Sequence, residues 1–126
     1  MARIVIVDDD EIVAEIAADA LTAAGHMTDT VYDGAQALAA IYDGEPDLVI
    51  LDYRLPGETG MEVLRHIRKL PRSTSMLVMM FTASRSRLLQ ARAEHTGVDD
   101  YIVKPFCPEH LTQRVEALLA RRSANA

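Results

Sequence analysis

Five short apolar runs rich in β-branched residues recur along the chain, most of them followed by a segment with helical spacing. This alternation restricts the fold more than any other feature. RIVIV (3–7), DLVIL (47–51), MLVMMF (76–81) and DYIV (100–103) are nearly continuous in apolar character, as strands buried on both faces are. MTDTVY (27–32) alternates apolar and polar and reads as an edge strand. Between the runs, Val13, Ile16, Ala17, Ala20, Leu21 and Ala24 share a helical stripe that Gly25 closes. Ala35, Leu38, Ala39 and Tyr42 line a second stripe, and Leu64 and Ile67 a third. RSRLLQARAEH (85–95) carries only a short stripe. The last helix opens at Pro108 and sets Leu111, Val115, Leu118 and Leu119 at i, i+4, i+7 and i+8. Alternation of this kind calls for an α/β architecture, a parallel sheet with helices on both faces.

The 126 residues suit one domain around one core, expected over 1–122, with 123–126 a disordered tail or the start of a linker. A formal net charge of −6 argues against direct nucleic-acid binding, which needs a basic face. No apolar run approaches the roughly 20 residues that cross a bilayer. The lone Cys107 fits a reducing compartment, so a cytoplasmic setting is expected.

Ligands of open parallel sheets bind at the carboxyl ends of the strands. Here the first run ends in Asp8 and Asp9, the third in Asp52, the fourth in Thr82 and the fifth in Lys104. Carboxylates on neighbouring strands stand roughly 5 Å apart at the backbone and can share one cation. Oxygen donors select Mg²⁺, or its relative Mn²⁺, over zinc. Such a site keeps positions open for a phosphate oxygen, and Lys104 and Thr82 are placed to meet that group. Pro56 and Gly57 open a loop beside Asp52, and the bond between Lys104 and Pro105 is a candidate for the cis form.

Four stretches now stand in one order: the acidic pair after the first strand, LDYRLPGETG (51–60), Thr82-Ala83, and DDYIVKPF (99–106). Together they resemble the receiver domains of two-component response regulators, over about residues 3–120. The resemblance implies a flavodoxin-like, doubly wound five-stranded sheet in the order 2-1-3-4-5 with five helices. It implies that Asp52 accepts a phosphoryl group from a histidine kinase or a histidine phosphotransfer protein. Asp9 and Asp52 resemble direct Mg²⁺ ligands, Asp8 one acting mainly through water, and the backbone carbonyl of Arg54 completes the set. Lys104 resembles the phosphoryl-binding lysine, with a cis bond to Pro105, Thr82 the switch threonine and Tyr101 the rotating aromatic. A downstream protein or output domain, or a second copy of the chain in a homodimer, would meet the surface of helix 4, strand 5 and helix 5. Arg54 and Ser84 occupy the positions that tune the lifetime of the phosphoryl group, and their combination departs from the commonest members. Arg85, Arg87 and Arg92 point to an acidic partner for the fourth helix.

Two other functions compete. A Mg-dependent phosphatase of the haloacid-dehalogenase type would use Asp8 as nucleophile and Asp10 as acid/base, but leaves LDYRLPG unexplained. A receiver-like binding module would keep the fold without phosphorylation. Asp10 and Glu11 also have a plainer role, as acids at the positive end of the first helix. None of the four histidines has ligand spacing, so each reads as a surface or core-edge residue.

Overall fold

A computed structural model of the chain describes residues 1–71 and 75–124. Strands β1 (Arg3–Val7), β2 (Met27–Val31), β3 (Leu48–Asp52), β4 (Leu77–Thr82) and β5 (Asp100–Val103) form one parallel sheet in the order β2-β1-β3-β4-β5. Helices α1 (Glu11–Ala23), α2 (Gly34–Gly44), α3 (Gly60–Arg68), α4 (Arg87–Thr96) and α5 (Pro108–Ala124) connect and flank them. The last helix takes in Ser123 and Ala124, two residues past the domain end read from the sequence, and 125–126 lie outside the described residues.

Alternation along each strand divides the core into two layers. Ile4, Ile6, Leu48, Ile50, Met79, Phe81 and Ile102 face α1 and α5, meeting Ala14, Ala17, Leu21, Leu111, Val115 and Leu118. On the other face, Val5, Val7, Val49, Leu51, Met80 and Tyr101 meet α2, α3 and α4 through Ala37, Ile41, Leu64, Ile67 and Ala93. All five residues of β3 are buried, as its central place requires.

Short polar side chains start the helices. Asp10 caps α1 and Asp33 caps α2, while Thr59 and Glu62 form a reciprocal capping box on α3 and Ser86 caps α4. The stripes of the first two helices differ in phase from the sequence reading. In α1 the buried residues are Ala14, Ala17 and Leu21, and Ile16 is exposed; in α2 they are Gly34, Ala37 and Ile41, with Ala35, Ala39 and Tyr42 outside. Both segments are alanine-rich, so several rotations of the helix look equally apolar, and the approach distance to the sheet selects among them.

Candidate functional site

Register alone brings the first two acids together. Val7 pairs with Leu51, so the next residues outward, Asp8 and Asp52, are neighbours at the carboxyl edge. Thr82 pairs with Val103, which leaves Lys104 one step beyond, its backbone N–H bonded to the Thr82 carbonyl at 2.7 Å. Asp8, Asp9 and Asp52 present carboxylate oxygens that all lie within 4.8 Å of one another. Asp8 and Asp52 are buried, whereas Asp9 is exposed.

Lys104 relieves the repulsion in this group. Its Nζ donates to Asp8 Oδ2 at 2.6 Å and to Asp52 Oδ2 at 3.0 Å. The ammonium also stands 4.7 Å from the centre of the Phe81 ring, which Phe106 braces edge-on at 5.7 Å. Burial by itself would lower the Lys104 pKa, but the hydrogen bonds and charges of Asp8 and Asp52 outweigh it and hold the pKa above its usual value. Burial pushes the Asp8 carboxyl up, against the opposing hydrogen bonds from Lys104 and the Asp10 N–H. The bond between Lys104 and Pro105 is cis.

The corner is open to solvent on one side. A cleft of about 470 Å³ runs along Asp9, Tyr53, Arg54, Leu55, Pro56 and Thr59. The Arg54 N–H donates to Asp52 Oδ1 at 3.4 Å, and the Arg54 side chain flanks the cleft. Thr82 is buried, and its Oγ accepts the Ser84 N–H at 3.2 Å; Ser84 Oγ in turn accepts the Ser86 N–H at 3.2 Å. Tyr101 lies inward on β5, and its hydroxyl is buried with no hydrogen-bond partner among the described residues.

Asp10, the acid/base of the phosphatase reading, has another occupation. Its Oδ1 accepts the N–H groups of Ile12 (3.0 Å) and Val13 (3.3 Å) at the start of α1. His26, read as a surface or core-edge residue, is buried: Nδ1 accepts the Ala2 N–H at 3.0 Å and Nε2 meets Glu116 at 2.5 Å. The sequence reading also passed over two parts of the site. Phe81 supports Lys104, and its only sequence signal is its place before Thr82 in an apolar run. Gly60 allows α3 to start against the end of β3. A Cβ there would fall 2.2 Å from the Asp52 carbonyl oxygen and 2.8 Å from Tyr53 Cα. Its signal was the glycine directly after a capping threonine in TGME.

A doubly wound sheet of this order, with a carboxylate trio and a lysine converging at its carboxyl edge, is that of a signalling receiver. The chain belongs to the response regulator receiver domain family, whose pattern it matches over residues 4–116. It is thus a receiver domain of the two-component kind, and nothing in fold or family supports the phosphatase alternative. It is similar to a CheY-like receiver domain protein from Methanospirillum hungatei, at 27% identity and TM-score 0.94 over 100% of this chain and 99% of that one. The chemotaxis response regulator CheY4 of Vibrio cholerae matches at 28% identity and TM-score 0.88, over 93% of this chain and 98% of its own. NtrX from Brucella abortus matches at 32% identity and TM-score 0.91, over 98% of this chain but 28% of NtrX. No helix among the described residues is long and apolar enough to cross a membrane.

Proposed function

We propose that Asp52 takes a phosphoryl group from a phosphohistidine on a histidine kinase or a histidine phosphotransfer protein, and that the new charge repacks the surface of α4, β5 and α5. The observation that carries this reading is the convergence of Asp8, Asp9, Asp52 and Lys104 beside an open cleft. An Asp52 carboxylate oxygen attacks phosphorus, the P–N bond breaks, and the imidazole leaves with the electron pair and takes up a proton. Three clustered oxygen donors of hard character fit Mg²⁺ or Mn²⁺, with Asp8, Asp9, Asp52 and the Arg54 carbonyl as the holding groups. When bound, that ion supplies charge that offsets the repulsion between acceptor and phosphoryl group.

The remaining steps belong to the chain's own side chains. Lys104, already charged and held at Asp52, is positioned to contact a phosphoryl oxygen. Thr82 would exchange its hydrogen bond from the Ser84 N–H for one to the phosphoryl group. Its displacement vacates space beside β5, and Tyr101 can turn outward without giving up a hydrogen bond, since its hydroxyl holds none among the described residues. Arg54 and Ser84 are the residues that would tune access of the hydrolytic water. Output would pass to a downstream protein or to an output domain.

The test is incubation with acetyl phosphate and Mg²⁺ followed by intact mass. Addition of one phosphoryl group is expected, lost in Asp52→Asn and retained in some measure by Asp8→Asn. Label that follows Asp8 instead would restore the phosphatase, and no label on any variant would leave the silent binding module. Asp9→Ala, at an exposed position, should abolish Mg²⁺ binding without loss of the fold.

A further inference from the structure

The loop that walls the cleft carries one carboxylate whose place the site does not explain. Glu58 lies between the cleft residues Pro56 and Thr59, and its Oε2 is buried with no hydrogen-bond partner among the described residues. A carboxylate oxygen kept in that state costs free energy unless other charges or dipoles compensate it. Two neighbours can. One is the positive end of α2, where Gly34 makes room for the Glu58 side chain. A Cβ at Gly34 would fall 3.1 Å from Glu58 Cβ and 3.5 Å from Oε2. The other is His66 on α3, whose Nε2 stands 3.8 Å from Glu58 Oε1, too far for a hydrogen bond but close enough for an ion pair.

The other charges on the surrounding elements have their own occupations. On α3, Glu62 closes the capping box with Thr59, Arg68 is spent on Gly97, Met76 and Asp99, and Arg65 and Lys69 are exposed. At the start of α2 the Asp33 carboxylate accepts the Gln36 N–H, and no acid stands in the first turn. The exposed Arg54 lies at the far end of the loop. Glu58 is the only acid in ion-pair contact with His66 among the described residues.

A tight turn passes the position of Glu58 to the cleft. Its N–H donates to the Pro56 carbonyl at 3.1 Å around Gly57, whose φ is +82°. Thr59 is fixed by the capping box, so the Glu58 side chain sets where the Pro56 half of the wall stands. Histidine is the side chain that gains its charge between about pH 8 and pH 5. We propose that His66, once charged, closes on Glu58 and fixes the cleft wall from Arg54 to Pro56, making these two positioning residues through which Mg²⁺ binding and phosphoryl uptake respond to protons. The proposal rests on the reading of Asp52 as acceptor and adds a regulation of that site. The hold is present on the acid side and is lost as His66 gives up its proton. Both side chains are partly exposed, 53% for His66 and 38% for Glu58, so solvent screens the pair and limits the effect to about two- to threefold.

Uptake from acetyl phosphate with Mg²⁺ is followed between about pH 6 and pH 8 for the full chain and for His66→Gln, His66→Arg and Glu58→Gln. Each rate is divided by that of His66→Gln at the same pH, which cancels the titration of the donor and of the acid cluster. The parent's ratio should rise by about two- to threefold toward the acid end. His66→Arg, with a permanent charge, should hold the raised ratio at both ends, and Glu58→Gln should stay near one throughout. Calorimetric titration with Mg²⁺ alone should rank the variants in the same order. The backbone amide resonance of Gly57 reports the wall directly; it should titrate in step with the His66 ring in the parent and lose that step in Glu58→Gln. A parent ratio flat with pH, an arginine variant no better than the glutamine one, or a Gly57 amide that ignores His66 would overturn the proposal. Should no variant take label while Mg²⁺ affinity and the Gly57 amide still follow His66, the phosphoryl reading falls and the positioning stands.

Discussion

Lys104 places its ammonium 2.6 Å from the carboxylate of Asp8, an acid with no exposed surface. The pair answers a problem set by the site: charges of like sign stand close together in a poorly solvated corner. Asp8 is stored at a cost, because burial raises its pKa in spite of the lysine. Asp8→Asn keeps the acceptor for the Asp10 N–H and leaves Lys104 its bond to Asp52. In metal-free buffer this variant should be more stable by about 1 kcal/mol or more, roughly 3–6 °C in melting temperature for a chain of this size. Its Mg²⁺ affinity, read by titration calorimetry, should fall.

The partner substitution should go the other way. Lys104→Met strips the only cation within hydrogen-bond reach of two buried carboxylates among the described residues, and such a loss costs about 3 kcal/mol. Adding Asp8→Asn removes one of the two stranded charges, so the double variant should recover much of that loss. A double-mutant cycle by urea unfolding without metal measures the coupling. Additive effects would mean that the 2.6 Å contact does not persist in solution.

Gly60 tests whether the acceptor's position depends on backbone approach. Its own N–H donates to the Tyr53 carbonyl at 2.6 Å, and the atoms that a new Cβ would strike are backbone atoms of Asp52 and Tyr53, which cannot step aside. Gly60→Ala should destabilise by about 3 kcal/mol and displace the end of β3, lowering phosphoryl uptake as well. Gly57→Ala has open space around it and meets only the strain of a φ of +82°, about 1 kcal/mol. Thermal melts rank the two.

The strands and the acids at their ends were legible from sequence, because a buried parallel sheet leaves continuous β-branched runs and each run ends where the next residues must face solvent; the strand order came only with the resemblance to receiver domains. Asp10's capping role was equally legible, since it depends on neighbours two and three residues away. What could not be read depends on partners distant in the chain. The rotation of α1 and α2 is set by how closely alanine lets a helix approach the sheet, which hydropathy does not encode. The bond from Lys104 to Asp8 spans 96 residues of sequence, and no local spacing announces it. His26 gave no sign of its burial, because Ala2 and Glu116, its two partners, lie at opposite ends of the sequence.

Tyr101 offers a pH test. Burial raises its phenol pKa above the usual 10.0, with a further push from nearby Tyr53. A folded-state pKa above the unfolded value contributes stability that is complete below pH 10 and fades as the pH rises through the folded value. An absorbance titration should therefore show a late phenol transition above the usual range, and Tyr101→Phe should delete it. Because the hydroxyl is buried without a partner among the described residues, Tyr101→Phe should be neutral to stabilising by about 1 kcal/mol near neutral pH. A large loss of stability would mean that the hydroxyl is bonded in solution and that outward rotation has a cost omitted above.

Arg68 holds the end of α4 against the body of the fold. From the end of α3 its guanidinium donates to the Gly97 carbonyl at 2.8 Å, the Met76 carbonyl at 2.7 Å and the Asp99 carboxylate at 2.9 Å. Asp99 in turn accepts the Val78 N–H at 2.8 Å, so one side chain ties α3, the end of α4, and the entrances to β4 and β5 into a single network. Hydrogen bonds to a charged donor each contribute about 1.5–3 kcal/mol, and they share one side chain, so the sum is less than additive. Arg68→Ala should cost about 3 kcal/mol in urea unfolding with an unchanged slope. Hydrogen exchange should quicken first at Gly97, Val98 and Asp99. If α4 must shift when Asp52 is loaded, the same variant should also narrow the exchange difference between the free chain and the chain bearing beryllium trifluoride as a phosphoryl mimic, because α4 would already be loose. Quickened exchange spread evenly over the sheet, with that difference intact, would show instead that Arg68 supports the fold as a whole and has no particular hold on α4.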